Sequence, residues 1–131
     1  MKRKINFKPL CEAVANNDME SFEVLLDSDV DIEGTDYNSM TALMYAAFFG
    51  RIVMAKKLLD KGANIECRDP YGNMPLMRAC LREGYNENGV EMINLLISYG
   101  ANINAQNRAG VNPKSFAKTA VNFPEMDAFK D

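Results

Sequence analysis

Three acids alternate in Asp27-Ser28-Asp29-Val30-Asp31, which is how a calcium-binding loop opens. Such a loop needs glycine in its sixth place, for the sharp turn, and glutamate in its twelfth, to complete the ligand set. Ile32 and Asn38 stand there instead, so the acids read as a solvated turn and no metal site is expected. The three cysteines, Cys11, Cys67 and Cys80, are odd in number and widely spaced, which fits free thiols in a reducing compartment. Cys11 and Cys80 fall at apolar helical positions and read as small core residues, whereas Cys67 falls in a turn region, where it could be exposed. There is no histidine among 131 residues, which removes the commonest metal ligand and the commonest general base together. Neither an enzyme nor a cofactor is expected.

Net charge is −3, but its placement says more than its sum. Residues 1–8 carry four bases, residues 9–50 carry nine acids and no base, and residues 51–131 carry eleven bases and nine acids. A strongly negative segment has the wrong sign for phosphate backbones and anionic lipids, so nucleic acid and membrane are not expected partners. No apolar run approaches the roughly 20 residues that span a bilayer, and the start MKRKINFK is too short and polar for a signal peptide. The expected location is the cytosol.

The elements that position these residues repeat. Leu10, Leu43 and Leu76 are 33 apart, as are Ala13, Ala46 and Ala79, and Asp36 and Asp69 open two consecutive units. Later landmarks shift by 38, as in Leu58 to Leu96, Gly62 to Gly100 and Ile65 to Ile103, so five residues are inserted once. The glycines and asparagines of Glu83–Gly89 read as that inserted loop, with the weakest stacking expected around it. Each unit runs turn, short apolar helix, break, second apolar helix. Ile52, Ala55, Leu58 and Leu59 have helical spacing, and Gly62 suits a left-handed helix cap.

A fixed period of 33 with Thr41-Ala42-Leu43-Met44-Tyr45-Ala46 and Met74-Pro75-Leu76-Met77-Arg78-Ala79 resembles the ankyrin repeat, whose signature contains T-P-L-H-x-A. The L-L-x-x-G-A-D-V-N tail recurs as Leu58–Glu66 and Leu96–Asn104. The resemblance implies an all-α solenoid of about four helix-turn-helix units in one domain, residues 1–131: units 4–35, 36–68, 69–106 and a capping unit 107–131 closed by Phe123, Met126 and Phe129. The histidine column holds Cys11, Met44, Met77 and Ser115, and the threonine column keeps only Thr41, so the side-chain bond tying repeats together is expected to be mostly missing.

In that architecture partners dock on the concave side, made by hairpin tips and the edges of the first helices. Transferred by column, this implies tips at Asp36–Met40, Asp69–Asn73 and Asn107–Val111, with edges that include Phe48-Phe49, Leu81-Arg82 and Thr119-Ala120. Leu43, Ala46 and Ala47 already supply the core of the second unit, so Phe48 and Phe49 are expected to face outward. With Tyr37, Met40, Tyr71 and Leu81 they would form an apolar patch, rimmed by Asp31, Glu33, Asp36 and Arg82, with Asn73 on the neighbouring tip. The expected function is non-catalytic binding of a protein that offers a basic rim around an apolar contact, by a chain monomeric when alone. The narrowest form is an inhibitor, such as an immunity protein neutralising a toxin or enzyme, and the alternative is an assembly adaptor holding two partners.

Overall fold

Asp36, Asp69 and Asn107 hold the same place in three successive turns, and each closes its turn in the same way. One side-chain oxygen accepts the backbone N–H two residues on and four residues on: Asn38 and Met40 at 2.9 and 3.2 Å, Tyr71 and Asn73 at 2.8 and 2.9 Å, Ala109 and Val111 at 2.9 and 3.0 Å. Short polar side chains compete for backbone donors in this manner, and here they form the hairpin tips. The computed structural model describes residues 9–81, 87–113 and 115. The expected closing helix at Phe123, Met126 and Phe129, with Thr119, Ala120, Arg82 and the basic residues 1–8, lies outside them.

Among the described residues six α-helices come in pairs: α1 (Pro9–Ala15) with α2 (Met19–Leu26), α3 (Ala42–Phe49) with α4 (Ile52–Asp60), and α5 (Pro75–Leu81) with α6 (Glu87–Ser98). No strand occurs among the described residues. The first helices stack in one row, α1 on α3 on α5, and the second helices in another, α2 on α4 on α6. Proline opens α1 and α5, where its missing N–H costs nothing. Thr41 caps α3, its hydroxyl accepting the Met44 N–H at 3.2 Å, and Asp18 caps α2 through Ser21. The Ser21 hydroxyl and N–H hold the Asp18 carboxyl below its ordinary pKa.

Burial follows from place in the stack. In α3, flanked by α1, α4 and α5, Ala42, Leu43, Met44, Ala46 and Ala47 are all buried, so it is apolar on almost every side. α4 is amphipathic, burying Met54, Ala55, Leu58 and Leu59 and exposing Val53, Lys56 and Asp60. Ala13, Ala46 and Ala79 are buried in one column, where a side chain no larger than methyl lets the first helices approach closely.

Three expectations change. Glu87–Gly89, expected in the inserted loop, form the first turn of α6, so part of the insertion lengthens a helix that is 12 residues long where α4 has 9. Stacking is also not weakest there, because α3 and α5 share the most extensive contact between helices, while α2 and α4 share the sparsest of the main helix pairs. Cys67 is half-buried, its sulfur 3.5 Å from the Thr41 hydroxyl, and burial raises the thiol's pKa, which disfavours a reactive thiolate. Cys11 and Cys80 are buried as expected, and burial pushes the Cys80 thiol up to about 12.

Other bonds tie the units together. The Cys11 thiol, in the histidine column, donates to the Met40 carbonyl at 3.6 Å in the next hairpin. Arg51 donates to the carbonyls of Val14 and Ala15 at 3.1 and 2.9 Å, satisfying the last turn of α1. Glu33 accepts the Asn64 N–H at 2.7 Å, and one unit later Glu66 accepts the Asn102 N–H at 3.1 Å.

Candidate partner-binding surface

Tyr45 and Arg78 are 33 residues apart, on α3 and α5, and both reach from the first helix to the tip of their own unit. The Tyr45 hydroxyl donates to the second carboxylate oxygen of Asp36 and accepts from Asn38 Nδ2 at 3.2 Å. Burial pushes the Tyr45 phenol up to about 12, with Asp36 adding to the rise. In the next unit Arg78 takes the place of the tyrosine and forms an ion pair with Asp69, whose side chain is buried. Tip and helix are thus braced by polar side-chain contacts in the second and third units.

Aromatic rings line the space beside this brace. Phe49 stacks on Tyr45, with ring centroids 6.3 Å apart and planes 5° apart. Phe48 meets Phe49 edge to face at 5.0 Å, and the Arg51 guanidinium lies 5.2 Å from the Phe49 centroid. Both phenylalanines are half-buried. Tyr37 and Tyr71, on successive tips, are each 71% exposed. Two rings are thus held on the helix and two are displayed on the tips.

A profile described as "Ankyrin repeats (3 copies)" matches residues 8–107. The chain belongs to the ankyrin repeat family. Among its relatives, a Mus musculus protein named Ankyrin repeat and SOCS box protein 11 is 35% identical over 119 residues, 86% of this chain and 35% of that protein. A Dasypus novemcinctus protein, Ankyrin repeat, SAM and basic leucine zipper domain-containing protein 1, is 32% identical over 109 residues, covering 83% of this chain and 23% of its own length. Potassium channel GORK of Arabidopsis thaliana is 39% identical over 72 residues, 55% of this chain and 9% of the channel. The chain therefore spans about a third or less of the length of these relatives. Ankyrin repeats mediate protein–protein interaction, and none of these relatives carries the name of an enzyme. No helix among the described residues is long and apolar enough to cross a membrane.

The ankyrin frame sorts the expected surface residues. Tyr37 and Tyr71 are exposed on their tips, and Phe48 and Phe49 are half-buried on α3 and packed edge to face. Met40 and Asn73 do not join them, being only 7% and 8% exposed. They occupy the fifth place of the hairpin, where the backbone turns back into the stack, and Asn73 is held there by a 2.9 Å bond from Asn107 Nδ2. Of the acids expected as rim, Asp31 and Glu33 are exposed and Asp36 is half-buried. All three are engaged: Asp31 accepts the Glu33 N–H at 3.0 Å, Glu33 bonds the next unit, and Asp36 organises its tip. Leu81 ends α5. Sequence reasoning missed the Tyr45, Arg51 and Arg78 contacts, and the 33-residue step joining Tyr45 to Arg78 is the signal that finds the brace.

Proposed function

We propose that this ankyrin repeat chain is a non-catalytic binding module that holds a partner protein in the hollow between the hairpin tips and the first helices. The aromatic group Tyr37, Phe48, Phe49 and Tyr71 carries this reading. Rings supply large contact area with little side-chain entropy to lose, and they dominate the centres of protein interfaces. The surrounding acids fit a basic rim on the partner and accelerate encounter. Inhibition follows if the captured surface is one the partner needs for its own activity. In the adaptor reading a second protein sits at a separate place, where exposed Val53 borders a shallow cleft of about 380 Å³ with Met19, Ile52 and Glu91.

A photo-crosslinking residue placed at Tyr37 or Tyr71, and separately at Val53, distinguishes these readings in a lysate of the native source. Crosslinks from the two tip positions to one common protein, absent from Val53, support capture in the hollow. Crosslinks from Val53 alone contradict it, and a different protein at each face establishes the adaptor.

A further inference from the structure

Leu25, Leu58 and Leu96 share one column of the repeat, but they are not equally covered. Leu58 and Leu96 are fully buried, whereas Leu25, in the first pair of helices, is half-buried, and Val24 beside it is 68% exposed. With Ala13 these two are the apolar lining of a groove of about 380 Å³ on α1 and α2. Glu12, Asp18 and Glu20 also line the groove, and among the described residues no base does. The end of the stack thus offers apolar surface and negative charge together.

The complementary chemistry stands next to it in the chain. Residues 1–8 lead directly into α1 and hold four bases, no acid, and the large apolar side chains Ile5 and Phe7. They are also excused from the part that the same columns play in later units. Arg3 stands 33 residues before Asp36. There, and at Asp69, a carboxylate oxygen closes the hairpin tip by accepting the N–H groups two and four residues on. A guanidinium has no acceptor, so the first unit cannot close a tip in this way.

We infer that residues 1–8 dock in this groove on their own chain and close the open end of the stack. Extended backbone is favoured immediately before a proline such as Pro9, and an extended segment sets Arg3, Ile5 and Phe7 on one side. Five extended steps from Lys8 back to Arg3 reach roughly 17 Å, against roughly 10 Å for the length of α1. Running back along α1, the segment lays Phe7 and Ile5 against Ala13, Val24 and Leu25. Arg3 then arrives at Asp18 and Glu20, near the start of α2, and Lys8 stays close to Glu12. A second copy is the weaker occupant, because two such grooves brought face to face set acids against acids. Direct linkage also gives the chain's own segment an effective concentration on the order of mM.

Nuclear Overhauser contacts in the full chain test this docking. The Phe7 ring is expected to show contacts to the Val24 and Leu25 methyl groups at low salt, weakening as salt screens the charges. The R3E/K4E variant is expected to lose them, as is E12K/E20K, which alters only exposed side chains. Combining the four substitutions is expected to restore them, because both signs are then reversed. Circular dichroism shows whether each variant keeps its helices, and if E12K/E20K does not, R3E/K4E alone decides. In an equal mixture of isotope-labelled and unlabelled chains, no contact between chains is expected. Contacts between chains would assign the groove to a second copy and overturn the inference. So would the absence of contacts from Phe7 to these methyl groups, contacts from Phe7 to Met40 at the next tip in their place, or contacts undiminished in a folded R3E/K4E chain.

Discussion

At the scale of the residue, Tyr45 links core and surface, because its ring stacks under Phe49 while its hydroxyl braces the tip at Asp36. A phenol whose pKa is raised from 10.0 to about 12 in the folded chain contributes stability that is fully present below the unfolded value. That contribution is lost as pH rises from about 10 through about 12. The spectrophotometric titration difference between the native chain and Tyr45→Phe is expected to place one of the five tyrosines near the upper value. A difference curve centred near the ordinary tyrosine pKa would contradict the burial of that phenol. The thiols give a second check. With Cys11 and Cys80 buried and Cys67 half-buried beside Thr41, a thiol reagent is expected to modify the native chain slowly and the denatured chain at all three sites. A rapid native reaction at Cys67 would show that its burial is not maintained.

At the scale of the element, the tips and helix ends set the angles at which rings are displayed. Gly72 has φ of +79°, and an added Cβ would lie 2.9 Å from the Arg108 backbone nitrogen, whose N–H bonds the Tyr71 carbonyl at 3.0 Å. Gly62, at φ of +93°, has nothing within 4 Å of that position. Gly62→Ala is therefore expected to cost only left-handed strain, roughly 1–2 kcal/mol, and Gly72→Ala measurably more, because it also separates two tips. Equal losses in chemical denaturation would deny the close approach. Arg51→Ala is expected to destabilise by about 1–3 kcal/mol through the two freed carbonyls of α1, with Arg51→Lys a poor rescue, since an ammonium cannot reproduce the planar fork. These elements were legible to different degrees. Leucine and alanine columns 33 apart reveal the helices because a stack must bury the same face in every unit. The Glu87–Gly89 turn of α6 was hidden because glycine and asparagine signal a loop locally, while packing of α6 on α5 and α4 decides otherwise. The inward turn of Met40 and Asn73 was hidden because column position does not say which way a hairpin's last residue points.

At the scale of the whole molecule, the repeat provides a scaffold whose tips and first helices can change chemistry without changing shape. Tyr45 and Arg78 brace successive tips in one way with unrelated side chains, and Asp31 and Asn64 hold the same turn with and without charge. Hydrogen exchange should follow the stack, slowest in α3 and α5 and faster in α2, which packs sparsely on α4 and leaves Val24 68% exposed. Uniform protection of α2 and α3 would contradict that order. The central claim is that aromatic side chains released from core duty by the repeat form the contact surface. Affinity capture from a native lysate, run in parallel with the native chain and with Phe48→Ala/Phe49→Ala, tests it most directly. The account predicts that the double variant keeps its helical circular dichroism and loses the captured protein. Undiminished capture by a folded double variant would contradict it.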